Sequence, residues 1–310
     1  MILTLTANPA IDRTFSVDRL AFEDRAYVNS SRDSAGGRGI NASCVIHSFG
    51  GQSTAVFPSG GNSGKRLEQY LGALGVSVAA VPVRNPIRTN ITVTDQHGLT
   101  VNLNETGPML SRKEVARLEQ AVVERLDGAS WLLICGSLPP GVPPALYTRL
   151  IGEARKRKVH TLLNADGAAL RESIAAGPTV VTLNQQEAER LLGRALLTRT
   201  TCLEAAEDIH AMGPEMAVLT IGSRGAIGRL PGGTHEAVPP QVDAVCPIGA
   251  GDALRAAFAW SIENRPNHPV DALRWGVAAG TASARLAGMN FASLPQAEEI
   301  YHKVEVRRVE

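Results

Sequence analysis

The sequence predicts an α/β fold: a doubly wound, mostly parallel sheet flanked by helices, with a small β-sheet inserted into it. Short aliphatic runs recur along the chain and alternate with amphipathic stretches of helical period. Two further stretches alternate strictly every second residue. Continuous apolar strands joined by helices mean a parallel sheet covered on both faces, whereas strict alternation means strands with one wet face.

In order, Ile2–Thr6 reads as the opening strand, Ala42–Phe49 as a helix, Thr54–Phe57 as a strand and Gly64–Leu74 as a helix. Further strands follow at Trp131–Cys135, His160–Leu163, Thr179–Leu183 and Ala217–Ile221, separated by amphipathic helices such as Ser111–Leu126 and Pro144–Arg157. The run from Asp252 to Glu263 is apolar nearly all round, which predicts a deeply buried helix. The alternating stretches are 14–30 and 89–104, the second with a turn at Asp95-Gln96-His97-Gly98. They predict half-buried antiparallel strands, either a lid over the main sheet or an extra edge hairpin packed on it.

A chain of 310 residues with 44% hydrophobic content suits one large α/β domain able to bury a full core. A net charge of +1 and 4% aromatics argue against nucleic acid or membrane as a partner. Only 5 of the 31 basic residues are lysines, so a phosphate clamp here would use arginine. Cys44, Cys135, Cys202 and Cys246 form no CxxC pair and read as reduced thiols. The amino terminus has no basic leader and no window is long enough to span a bilayer, so a cytoplasmic protein is expected.

Small-residue turns lie where strands end, and ligands of open α/β sheets collect there. Ile248-Gly249-Ala250-Gly251-Asp252 opens the buried helix. Free N–H groups at Gly249, Ala250 and Gly251 suit anionic oxygens, and Asp252 beside them suits a general base; an Asp cap after turn glycines is the plainer alternative. Ala35-Gly36-Gly37-Arg38-Gly39-Ile40-Asn41 fails the G-x-G-x-x-G spacing, and Gly60-Gly61-Asn62-Ser63-Gly64-Lys65-Arg66 fails the P-loop spacing. Gly136-Ser137-Leu138-Pro139-Pro140-Gly141 follows a strand and offers the Ser137 hydroxyl. Asn184-Gln185-Gln186-Glu187 reads either as a capping box or as a carboxylate and an amide that hold Mg2+ through its waters. Thr220 and the turn carrying Gly222 and Gly225 form a nucleotide wall or a plain hairpin turn. Arg88, with Asn90 on the same strand, would hang over the sheet's edge.

Taken together and in this order, these residues resemble the ribokinase/PfkB family of carbohydrate kinases. Thr6-Ala7-Asn8-Pro9-Ala10-Ile11-Asp12 resembles its opening substrate motif and Gly36-Gly37-Arg38-Gly39-Ile40-Asn41 its GGKGxN signature. Asn184 to Glu187 resembles its NxxE motif, and Gly249 to Asp252 its GAGD motif. The Asn-Pro-Ala-Ile-Asp opening, Arg88-Thr89-Asn90 and Gly136 to Gly141 point to the phosphosugar branch. That branch contains 1-phosphofructokinase, tagatose-6-phosphate kinase and a minor 6-phosphofructokinase.

The resemblance implies a single ribokinase-like domain over 1–310, with a lid formed by about 9–33 and 86–107. It implies ATP as donor, Mg2+ near Glu187 and Asn184, a sugar phosphate as acceptor, and a homodimer built partly through the lids. Asp12, Gly37, Arg38, Asn41 and Asn90 would hold the sugar, and Arg38, Arg88 and Ser137 its existing phosphate. Asn184, Thr220, Gly222, Gly225 and Gly251 would hold the nucleotide. Fructose 1-phosphate is the first expectation for the acceptor, with fructose 6-phosphate or tagatose 6-phosphate as alternatives, and a catalytically silent sugar-phosphate sensor as an alternative of another class. Against the family pattern, Arg38 replaces a lysine, Asn90 a second basic residue, Thr182-Leu183 a Lys-Pro pair, Asn164-Ala165-Asp166-Gly167 an Asp-Thr-Ser-Gly and Ala253 a serine.

Overall fold

In the computed structural model, which describes residues 1–21, 24–288 and 290–309, the opening strand β1 (Ile2–Leu5) lies inside a ten-stranded sheet. The chain continues through β2 (Ala10–Val17), β3 (Val28–Gly36), α1 (Arg38–Ser48), β4 (Ser53–Ser59), α2 (Gly61–Ala73), β5 (Ser77–Pro82), β6 (Arg88–Asp95) and β7 (Thr100–Asn104). Then come α3 (Arg112–Val123), β8 (Trp131–Cys135), α4 (Ala145–Lys156), β9 (His160–Asn164), α5 (Gly167–Ile174), β10 (Val180–Asn184), α6 (Gln185–Leu192) and α7 (Arg199–Ala211). The last part holds β11 (Met216–Thr220), β12 (Ala226–Leu230), β13 (Gly233–Val238), α8 (Ala250–Asn264), α9 (Pro269–Ala284), α10 (Leu294–Tyr301) and β14 (Glu305–Val309).

The large sheet runs β14-β13-β12-β11-β10-β9-β8-β1-β4-β5, parallel from β11 to β5 and antiparallel from β11 to β14. β1 pairs with β4 on one side and β8 on the other, Leu3 standing opposite both Thr54 and Leu132. From β1 the strand order leaves one way through β4 and the other way through β8. That reversal opens a crevice at the carboxyl ends of β1 and β8.

Strand periodicity explains why the sheet is apolar on both faces. Along β8, Trp131 and Leu133 enter the core shared with α1, α8 and α9, while Leu132 and Ile134 enter the core shared with α3 and α4. β8 thus feeds two cores with alternate residues, and neither of its faces is left to wet.

The helix α8 is buried along its inner length, as its apolar sequence predicts. It lies so close to α9 that a Cβ on Gly280 would stand 2.9 Å from the Ala250 carbonyl oxygen. Only backbone separates the two helices there, which fixes where α8 begins. The N-cap Gly249 has φ 85°, a conformation that glycine takes without strain.

A second sheet, β3-β2-β6-β7, stands apart from the first. β2 pairs antiparallel with β3 and parallel with β6, and β6 pairs antiparallel with β7. The Asp95 carboxylate accepts from the N–H groups of His97 and Leu99 and closes the expected turn. Arg13 and Arg66 both pair with Asp33, tying this sheet to α2 at 2.7 Å contacts. Phe22 and Glu23, within the 14–30 stretch, lie outside the described residues.

The structure departs from the sequence expectations in several places. β7 is exposed along its whole length rather than half-buried, because among the described residues its only strand neighbour is β6. β5, β12, β13 and β14 extend the large sheet beyond the expected strands. β14 carries Glu305, Arg307 and Arg308, and charges on an edge strand hide it from a hydrophobicity reading. The helix expected at Ala42 begins at Arg38, because its first turn lies over the end of β1 and the Ile40 N–H donates to the Thr6 hydroxyl, 2.9 Å.

Candidate active site

A cavity of about 590 Å3 occupies the crevice between the two sheets. Its floor comes from the end of β1 (Thr6, Asn8), the start of α1 (Gly37, Arg38, Asn41), the turn after β8 (Gly136, Ser137) and the start of α8 (Gly249, Asp252). Its roof comes from the small sheet. Alternation along these strands sends Asp12, Thr14, Asn90, Thr92, Thr94, Asn102 and Asn104 inward. The intervening apolar residues of β7, Val101 and Leu103, are left exposed.

Asp252 is buried and held at both ends. Asn41 Nδ2 donates to Oδ2 at 2.7 Å, and Arg255 Nη1 lies 2.5 Å from Oδ1. Each carboxylate oxygen keeps a further lone pair for a substrate hydroxyl. In the adjoining turn the Ala250 N–H already donates to the Pro247 carbonyl and the Asp252 N–H to the Gly249 carbonyl. Among the described residues the N–H groups of Gly249 and Gly251 make no hydrogen bond, so the anion pocket narrows to these two donors.

Asp12 accepts from Asn90 Nδ2 at 2.8 Å across the paired strands β2 and β6. Burial pushes its carboxyl up from the ordinary 3.8 to about 6; the Asn90 hydrogen bond and Arg88 oppose this, and the Asp252 charge adds to it. Arg88 donates to the Glu105 carbonyl at 2.9 Å and the Asn8 carbonyl at 3.1 Å. Burial is the largest influence on it and pulls its pKa down. Arg88 Nε, Asn8 Oδ1 and Asn90 Oδ1 are buried and unpartnered among the described residues, and all three side chains line the cavity. Such orphaned donors and acceptors are costly unless a polar ligand meets them.

Arg38 lines the cavity, but its guanidinium is already engaged. Nη1 donates to Asn164 Oδ1 and lies 2.8 Å from each of Asn164 Oδ1 and Glu187 Oε1. Burial opposes its charge, yet the Glu187, Asp252 and Asp166 carboxylates outweigh that and the net shift of its pKa is upward. Glu187 does not itself line the cavity; it reaches it through Arg38. Asn184 and Glu187 form a capping box for α6, the Glu187 N–H donating to Asn184 Oδ1 at 2.8 Å and the Asn184 N–H to Glu187 Oε2 at 2.9 Å. The second Glu187 oxygen, Oε1, is buried and takes no part in the cap; it is the one paired with the Arg38 guanidinium. Thr220, Gly222 and Gly225 lie at the end of β11, in the hairpin to β12, outside the cavity lining.

The structure therefore brings Asp12, Gly37, Arg38, Asn41, Arg88, Asn90, Ser137, Gly249 and Asp252 around one cavity, with Ala250 and Gly251 in the adjoining turn. It also adds residues that sequence reasoning missed. Asn8 bridges Thr106 and Ser137, Asp166 lines the wall, and Arg255 sits behind Asp252. The signal for Arg255 was present: an arginine three residues after an aspartate, in a helix otherwise apolar, needs a buried partner.

The model of the pfkB family of carbohydrate kinases matches residues 5–297. The ATP-dependent 6-phosphofructokinase isozyme 2 of Escherichia coli (strain K12) is 32% identical over 97% of this chain and 97% of its own. A 1-phosphofructokinase of Vibrio cholerae is 26% identical over 98% of this chain and 96% of its own. The crystal structure of the Escherichia coli phosphofructokinase-2 in complex with fructose-6-phosphate superposes with a TM-score of 0.89 at 31% identity, covering 97% of this chain and 98% of that one. Among the described residues no helix is long and apolar enough to cross a membrane. With its site built at the sheet's reversal and its likeness running almost end to end, the chain belongs to the pfkB family of carbohydrate kinases, in the branch that phosphorylates sugar phosphates.

Proposed function

We propose that this enzyme transfers the γ-phosphoryl group of ATP to a hydroxyl of fructose 6-phosphate. The observation that carries the proposal is the cavity itself, which sets a buried carboxylate, Asp252, beside the turn whose Gly249 and Gly251 N–H groups make no hydrogen bond among the described residues, with Arg88 also in the lining. Asp252 takes the proton from the attacking hydroxyl, the sugar oxygen bonds to the γ-phosphorus, and the bond from that phosphorus to the bridging oxygen breaks to release ADP. The N–H groups of Gly249 and Gly251 offset charge on the moving group. Placing fructose 6-phosphate first reverses the sequence expectation of fructose 1-phosphate. The 6-phosphofructokinases are the more similar relatives, at 32% against 26% identity.

Mg2+ fits this site. Among the described residues there is no cluster of three or more carboxylate, His or Cys ligands, and Glu187 Oε1 is a buried carboxylate oxygen set against the Arg38 guanidinium at 2.8 Å. Such a sparse protein contribution suits an ion that keeps most of its waters and is held by substrate phosphates. When bound, Mg2+ neutralises charge on the ATP phosphates. Glu187 would hold its water shell, with Asn184 orienting Glu187 through the cap and Arg38 standing between Glu187 and the cavity.

The small sheet acts as a lid whose polar face meets the sugar and excludes water. Its apolar outer residues, Leu99, Val101 and Leu103, with Tyr27 and Val28, are exposed in a single chain. They suit burial against the lid of a second copy, and so a homodimer.

The deciding measurement is ADP release with fructose 6-phosphate, fructose 1-phosphate, tagatose 6-phosphate and unphosphorylated fructose. The highest kcat/KM is expected for fructose 6-phosphate. A preference for fructose 1-phosphate would reverse the assignment, and binding without ADP release would mark a sensor.

Asp12 makes the acceptor's affinity depend on pH. Its upward shift means that the ionised form, which accepts from a sugar hydroxyl, is lost as pH falls through about 6. The KM for the sugar phosphate should therefore rise between pH 7 and 5, and Asp12→Asn should flatten that rise. The sign for stability is opposite: a raised carboxyl contributes stability below its unfolded value of 3.8 and loses it as pH rises through about 6.

A further inference from the structure

Arg255 stands one turn beyond Asp252 in α8, is 5% exposed, and has no place in the chemistry above. Nη1 lies 2.5 Å from Asp252 Oδ1, and Nε donates to the Thr182 hydroxyl of β10 at 3.0 Å. A Cβ on Gly251 would stand 3.3 Å from Nη2, so the guanidinium lies against the same turn that carries the Gly249 and Gly251 N–H groups. A buried cation persists only when its partners are fixed, and here the partners are the base and a strand of the sheet.

We infer that Arg255 is a positioning residue for phosphoryl transfer. It ties Asp252 Oδ1 to the sheet through Thr182, so that Oδ2, held from the other side by Asn41, is the oxygen that takes the hydroxyl proton. Turning the carboxylate would break both contacts at once. When Asp252 takes the proton and becomes neutral, the guanidinium remains as a positive charge beside the Gly251 N–H, while negative charge builds on the transferring group. The inference rests on the kinase reading, because it specifies how that reading's base is aimed.

The test compares Arg255→Met, Arg255→Lys and Thr182→Val with the wild type, on the full-length enzyme. Arg255→Met keeps the side chain's bulk and removes its charge. Its kcat is expected to fall roughly 10- to 100-fold, the scale of a misaimed catalytic group, with KM for sugar phosphate and for ATP within about twofold. Arg255→Lys should recover part of the rate, since it restores the charge but not the two-point hold. Removing one partner of a buried ion pair also weakens the fold, so thermal melting is followed for each variant. Thr182→Val leaves the ion pair in place and is expected to lower kcat roughly two- to tenfold at unchanged KM.

A folded Arg255→Met enzyme with wild-type kcat, or one whose loss appears entirely in KM, would overturn the inference and leave the kinase reading standing. If Arg255→Met does not fold, wild-type kcat in Thr182→Val overturns it instead. Absence of turnover by the wild type on every sugar phosphate would overturn the kinase reading, and the inference with it.

Discussion

Replacement of Asp252 by asparagine is expected to abolish turnover while sugar phosphate and nucleotide still bind. The amide matches the carboxylate in shape but cannot take a proton from the attacking hydroxyl. It also turns one of its two contacts unfavourable, because Asn41 Nδ2 and Arg255 Nη1 are both donors and an amide offers them one oxygen. General-base assistance contributes about 10²- to 10⁴-fold in rate, and the loss should fall there or beyond. Single-turnover kinetics, with binding followed by calorimetry, separate the two effects. More than roughly a tenth of the wild-type kcat would remove Asp252 from the role of base.

The second large effect is expected at Arg88. One guanidinium edge holds the carbonyls of Asn8 and Glu105, while Nε, buried and unpartnered among the described residues, belongs to a side chain in the cavity wall. A charge-assisted hydrogen bond contributes about 1.5 to 3 kcal/mol, so Arg88→Ala should lower kcat/KM for the phosphosugar roughly 10- to 150-fold. Arg88→Lys should restore only part, since lysine supplies charge without a planar fork. The control is unphosphorylated fructose. A residue that merely braces the Asn8 loop would damage both acceptors equally, whereas a phosphate reader spares the neutral one. Equal losses would sink the assignment.

What could be read from the sequence follows from how each feature is encoded. Strands buried on both faces, such as Trp131–Cys135, announce themselves as aliphatic runs, and the turns after them mark the edge where a cavity can form. The parallel frame and the cavity's main residues were therefore legible. β14 was not, because an edge strand needs charges rather than apolar residues. Arg38 was legible as a cation of the site, but not its engagement by Glu187, since the two lie on separate strand ends. Asn184 and Glu187 illustrate a different limit. The residues that cap a helix are the same types that hold a hydrated ion, and in this structure the capping bonds use one Glu187 oxygen while the other is left to the Arg38 guanidinium.

The placing of β1 between β4 and β8 has a consequence for the chain as it leaves the ribosome. β1 waits for a neighbour that begins at Trp131. The lid's share of the cavity, from Asp12 to Asn104, is complete in sequence long before the turn that carries Asp252 exists. That turn in turn takes its position from Gly280, later still. Order of synthesis thus separates recognition from chemistry, and a nascent chain holds every sugar-facing strand of its lid before it has a base to activate a hydroxyl.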